Sequence, residues 1–141
     1  MSWMERRPAT QALRSFLAFD FGTRRIGVAA GNTLTRKAQP LRTLAVDGDA
    51  RFDAIERLIA EWQPQALVVG VPFHPDGAAH DNTDRARRFA RQLHGRFKLP
   101  VHEVDERYTT TEARSQGAAD LDAAAAAIIL EQFFADLEAT E

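Results

Sequence analysis

Asp20 closes the run Phe16 to Phe21, FLAFDF, in which every other residue is apolar. A carboxylate on a strand covered on both faces is costly to bury unless positive charge meets it. Such an acid either begins a turn by bonding its own backbone or belongs to a charged site. Two more acids invite the second reading. The segment Pro100 to Glu106 reads as a strand delivering Asp105 or Glu106 at its carboxyl end, and Asp122 opens an alanine-rich helix. Positions 122, 125, 126, 129 and 133 share one helical face, so Asp122 is expected at the head of the stripe that packs on the sheet, an N-cap role being the alternative. Carboxylates brought together repel, and either one keeps its proton or a hard cation neutralises them. Magnesium or manganese suits such oxygen ligands, and two ions about 3.5 to 4 Å apart can activate water and steady the leaving oxygen of a phosphodiester. His74, His80, His94 and His102 show no paired ligand spacing and read as surface or packing residues. No cysteine is present, which excludes thiolate nucleophiles and thiolate metal sites. A GxxxxGK phosphate loop and a nucleophile elbow are also missing from the sequence.

The elements that must position these acids follow from periodicity. After the strand ending at Asp20, Gly22 to Arg25 is a tight polar turn and Ile26 to Gly31 is the returning arm of a hairpin. Arg36 to Val46 makes a third strand, and Pro40, which cannot donate to a ladder, puts it at an edge. Asp47-Gly48-Asp49 supplies turn and N-cap chemistry for a helix whose inward residues are Phe52, Ile55, Leu58, Ile59 and Trp62, stopped by Pro64. Ala66 to Val71 is a buried strand reached by a helical crossover and so parallel to the first. It ends in Gly70-Val71-Pro72. Pro72 to His80 is a loop at a carboxyl end, where sites are commonly built. From Thr83 to about Phe97 a second helix turns Ala86, Phe89, Ala90, Leu93 and Phe97 inward and an arginine set outward, a solvated face or a nucleic-acid patch. Thr109 and Glu112 have capping-box spacing, and Leu121 to Leu137 is the last helix.

The 141 residues, 45% hydrophobic and 27% charged, fit one compact domain over residues 15–141 behind a flexible leader, residues 1–14. No apolar run is long enough to span a bilayer, and residues 1–14 lack the apolar core of a signal peptide, so a cytoplasmic protein without membrane association is expected. Residues 120–141 hold six acids and no Lys or Arg, which leaves 18 basic against 14 acidic side chains before them. That balance permits a polyanionic partner.

Four blocks in order, FDFGTRRIGVA, GVPFHPDG, DERYTTTEAR and DAAAAAIILEQFF, resemble the motif blocks of the YqgF family, also called RuvX. The resemblance spans Phe16 to Phe134. It implies an α/β, RNase H-like fold whose five-stranded mixed sheet runs 3-2-1-4-5 between helices. It also implies a metal-dependent nuclease that processes the 5′ end of pre-16S rRNA, a Holliday junction resolvase, or a catalytically weak RNA-binding assembly module. On this resemblance Asp20, Glu106 and Asp122 are the catalytic and metal-binding acids, with Mg2+ or Mn2+. Thr23, Arg25, Gly27, Arg107 and Thr110 would bind the substrate, with RNA favoured over branched DNA and a ribosomal or other protein partner presenting it. Asp-Phe-Gly-Thr is also similar to the phosphate loop of sugar kinases and actin-like ATPases, but those need two such domains and the length supplies one.

Overall fold

The computed structural model describes residues 13–72, 81–106 and 120–140. The leader expectation for residues 1–14 falls almost wholly outside them, as do Pro72 to His80 apart from Pro72 itself and the Thr109–Glu112 capping box. The elements are β1 (Ser15–Phe21), β2 (Ile26–Asn32), β3 (Ala38–Leu44), α1 (Asp49–Trp62), β4 (Ala66–Val71), α2 (Asp81–Phe97), β5 (Val101–Asp105) and α3 (Leu121–Thr140). They form one five-stranded sheet in the order β3-β2-β1-β4-β5. β1, β2 and β3 are antiparallel neighbours, while β4 and β5 run parallel to β1. The expected order and directions are those observed.

Pro40 lies on the edge strand, where its missing N–H leaves no gap in the interior of the sheet. The register with β2 jumps there: Val28 faces Arg42 and Ala29 faces Pro40, so Leu41 is an extra residue and the strand bulges beside the proline.

Alternation on β1 sorts the core into two halves. Leu17 and Phe19 face α1 and α2 in a cluster with Val28, Leu67, Val69, Phe52, Ile55, Phe89 and Leu93. Phe16 and Ala18 face α3 with Val68, Val104, Ile129, Leu130 and Phe134. Each fully buried side chain of this size contributes about 1.5–3 kcal/mol, and these layers fix the height of β1 and hence of Asp20.

Three local expectations are corrected. The N-cap of α1 is Gly48, at φ 60°, with no side-chain cap hydrogen bond; the Asp49 carboxylate lies 3.3 Å from Arg96 instead. Trp62 is 37% exposed, because α1 ends there, past the core, with Gln63 in a left-handed turn. On α3 the buried stripe is Ala123, Ala126, Ala127, Leu130 and Phe134, flanked by Ile129, which is one position on from the expected face. Asp122 therefore lies on the flank of the stripe and not at its head.

Candidate functional site

One row of residues crosses the sheet at its carboxyl edge. Thr43 on β3 faces Gly27 on β2, Gly27 faces Asp20 on β1, Asp20 faces Gly70 on β4, and Gly70 faces Val104 on β5. Directly paired residues point to the same face, and the presence of Val104 in the α3 half of the core shows which face this is. Asp20, only 9% exposed, thus stands on the α3 side between two residues that have no side chain.

Other parts of the chain occupy the space above those glycines. A Cβ on Gly27 would lie 1.8 Å from the carbonyl oxygen of Asp122 and 2.9 Å from the amide of Ala123, so the first turn of α3 rests on the bare backbone of β2. A Cβ on Gly70 would lie 2.9 Å from both Cγ and Cδ of Glu106. Glu106 leaves the end of β5 and its side chain lies over Gly70 of β4, the residue paired with Asp20. Asp105 is one residue earlier and by strand alternation belongs to the other face.

The start of α3 is fixed by an acid outside the motif-matched three, Asp120. Asp120 Oδ1 accepts from the amide of Ala123 at 3.0 Å, the N-cap bond, and accepts from the hydroxyl of Thr43 at the end of the same row. Burial alone would raise the Asp120 carboxyl, but the Thr43 hydroxyl, the amides of Ala123 and Thr43 and the charge of Arg25 outweigh it and hold its pKa below the ordinary value. Asp120 is thus the cap, and Asp122 is left for other contacts. The available signal was an acid three residues before Ala123, but two acids at 120 and 122 fit a helix start equally well.

Asp122 Oδ2 meets Arg25 Nη2 at 2.7 Å. That oxygen is buried and the contact does not have hydrogen-bond geometry, so it is an ion pair. Arg25 is 63% exposed and the pair is worth about 0–1 kcal/mol. Thr23 shares the exposed Gly22–Arg25 turn with Arg25. Arg107 and Thr110 lie outside the described residues. Of the histidines within them, His94 Nδ1 lies 2.9 Å from the carbonyl of Leu99 and His102 packs 5.1 Å from the Phe133 ring, neither beside the acids.

Among the described residues no three acidic or imidazole side chains are gathered closely enough to share an ion. Asp20, Glu106 and Asp122 border one patch, and the Asp122 carboxylate is turned to the Arg25 guanidinium. The donor chemistry nevertheless suits a hard cation. All three are carboxylates, Asp20 is buried, and Asp122 Oδ2 is a buried anionic oxygen lacking a hydrogen bond.

The family model for RuvX, described as Holliday junction resolvase, matches residues 14–136. A protein of Albidiferax ferrireducens named "Putative pre-16S rRNA nuclease" is 71% identical over 121 residues, which cover 86% of this chain and 78% of that one. A protein of Polaromonas sp. with the same name is 66% identical over 128 residues, covering 91% and 93%. Among solved structures, Thermus thermophilus RuvC in complex with Holliday junction substrate aligns with a TM-score of 0.56 and 17% identity, covering 90% of this chain and 97% of that one. This last likeness shows a shared RNase H-like fold. The extent of the family match and the identity of the relatives make the chain a member of the RuvX family.

Proposed function

We propose that the protein is a metal-dependent nuclease that hydrolyses phosphodiester bonds and processes the 5′ end of pre-16S rRNA during ribosome assembly in the cytoplasm. The observation that carries this reading is the row at the sheet edge, where Asp20 lies between two glycines overlain by the Glu106 side chain and the Asp122 backbone. Carboxylates drawn onto one such row would repel unless a cation came between them. Asp20, Glu106 and Asp122 would hold Mg2+ or Mn2+, which supplies Lewis-acid polarisation of a phosphoryl oxygen and a water of lowered pKa. Arg25, exposed beside Asp122, offers its fork to a substrate phosphate, and Thr23 in the same turn can add a hydroxyl. The bare backbone of Gly27 brings the Asp122 turn down to the level of Asp20. Arg107 and Thr110 complete the proposed contacts to the strand. The names of the relatives favour RNA as substrate, and a ribosomal or other protein partner would present it.

A second reading, resolution of four-way DNA junctions, draws on the description of the family. A third, RNA binding without strong catalysis, draws on the Arg25–Asp122 ion pair, which places a cation of the protein's own beside one of the acids. One experiment separates them. The natural protein and Asp20→Asn are incubated with a pre-16S 5′ leader transcript and, in parallel, with a synthetic four-way junction, in Mg2+ or Mn2+ and in excess chelator. Cleavage of the transcript that disappears in chelator and in folded Asp20→Asn is the expected result. Cleavage that survives both removes the proposed mechanism, cleavage of the junction alone selects the second reading, and cleavage of neither substrate by the folded natural protein in Mg2+ or Mn2+ selects the third.

A further inference from the structure

The face of the sheet opposite the acids carries a second charged feature. Between the start of α1 and α2 lies a cavity of about 300 Å³ lined by Phe21, Phe52 and four arginines, Arg51, Arg85, Arg88 and Arg96. Among the described residues lining it, Asp49 alone is acidic, and it lies 3.3 Å from Arg96. Four cations against one anion make a local excess that the overall composition hides.

The cations are partly positioned in advance. Arg96 Cζ lies 4.0 Å from the centroid of the Phe52 ring, and Arg51 Cζ lies 5.7 Å from that of Phe21. A ring engages a guanidinium through its face, so the N–H edges stay available to an acceptor. Arg51 Nε is buried and has no hydrogen-bond partner, although buried donors nearly always find one. The cavity also takes in Gly48, the N-cap of α1, which offers the helix no side-chain cap, so the positive end of that helix opens on the same space. Guanidinium forks, an unsatisfied N–H and a helix N-terminus share one preferred ligand, an oxyanion of phosphate type.

Phe21 follows Asp20 on β1, and by alternation the two side chains leave opposite faces of the sheet at the same edge. A polyanionic strand crossing that edge passes the acids on one side and the arginines on the other.

We propose that this cavity is a phosphate subsite holding a backbone phosphate of the nucleic-acid strand that is cut at the acids. The proposal rests on the nuclease reading for its substrate and on the cavity for its chemistry. It gives the outward arginines of α2 a specific task beyond solvation.

The test uses the full chain carrying Asp20→Asn in excess chelator, so that nothing is cut, with a 5′-labelled single-stranded RNA titrated across salt concentrations. On that background Arg51→Gln and Arg88→Gln should each weaken binding and lower the log-log salt slope by about 0.7. Arg57→Gln, exposed elsewhere on α1, should leave both unchanged. Melting temperature checks each variant; Arg88 is exposed, so Arg88→Gln decides if Arg51→Gln loses its fold. Unchanged affinity and slope in folded Arg88→Gln overturn the proposal. Adenosine 5′-monophosphate should give no saturable, Arg51-dependent rise in melting temperature; such a rise would assign the cavity to a free nucleotide and overturn the strand. Cleavage by the chain with Asp20 intact is scored separately. Altered slopes with no cleavage keep the phosphate site and remove the nuclease reading, whereas cleavage with unaltered slopes does the reverse.

Discussion

On the α1 and α2 side of the sheet, the Phe89 ring packs against Phe19 at 5.9 Å and Phe52 at 6.1 Å, and Leu17, Val28, Leu67 and Ile55 fill the space around them. On the α3 side, Gly27 and Ala29 of β2 lie under Ala123, Ala126 and Ala127 at the start of α3, while Gly31 lies under Leu130 and Phe134 further along it. The first half of the core gains stability from volume removed from water. The second does the same around Phe16, Leu130 and Phe134 but gives up area for closeness at the first turns of α3, where small residues on both surfaces let a helix backbone touch a strand backbone. The acids are on the close side. A site whose parts are a strand acid, a helix turn and a side chain reaching across a bare strand needs short separations more than bulk. The arginine cavity lies on the opposite side, where the Phe21 and Phe52 rings hold guanidinium faces.

If volume governs one half and closeness the other, substitutions should divide accordingly. Phe89→Ala should destabilise by about 3–5 kcal/mol through the cavity it leaves, as measured in urea unfolding. At saturating RNA and a temperature where the variant is folded, cleavage should be near natural, because the acid row does not use Phe89; Phe89 packs on Phe21 and Phe52, so RNA affinity alone is exposed to the change. Gly27→Ala should show the opposite balance. Its Cβ would lie 1.8 Å from a backbone oxygen that cannot step aside as a side chain could, so α3 must shift. A stability loss of about 1–3 kcal/mol is expected, with cleavage lowered by much more than the folded fraction explains. Equal losses of stability and activity for both variants would dissolve the distinction between the two faces.

Gly70→Ala sharpens the contrast within the acid side. Its Cβ would meet Ile129 Cδ1 at 2.5 Å and Glu106 at 2.9 Å, all of them side-chain atoms that can rotate. The stability loss should therefore be smaller than for Gly27→Ala, yet cleavage should still fall because Glu106 is pushed from its place over β4. Gly95, with open space around it on α2, is the control. Gly95→Ala should leave cleavage alone and stabilise by about 0.5–1 kcal/mol through helix propensity.

Much of this arrangement is local enough to be read from residue order. The apolar run around Asp20, the hairpin, the edge proline and the inward residues Ile55, Leu58, Phe89 and Leu93 all announce themselves through short-range pattern, and the strand order follows from the family resemblance. What is not legible depends on partners distant in sequence. Gly27 and Gly70 look like ordinary strand glycines until Asp122 and Glu106 are set above them. The stripe of α3 lies one residue away from the expected face, because Ala123 to Ala127 has no period to read. Trp62 fits the helical spacing of α1, but spacing does not say where the sheet beneath ends. The arginine cavity needs α1 and α2 side by side, and only the α2 half of it stands out as a charge pattern.

Asp120 offers the finest test, because two of its contributions can be separated. Asp120→Ala removes the N-cap of α3 and should destabilise by about 1 kcal/mol. Asp120→Asn keeps a good cap and removes only the charge, so its effect should be smaller and should depend on pH. The folded-state pKa of Asp120 is held below its ordinary value by the Thr43 hydroxyl and the other contacts that outweigh burial. A carboxylate with a depressed pKa contributes stability that is full above its unfolded value and lost as pH falls through the folded one. The natural protein and Asp120→Asn should therefore differ most near neutral pH and converge in acid, with the variant showing the flatter acid limb in urea unfolding followed across pH. Parallel acid limbs for the two proteins would mean that the Thr43 and Ala123 bonds gain nothing from the charge. The row from Thr43 to Asp20 would then be held by the cap geometry and the glycine contact alone.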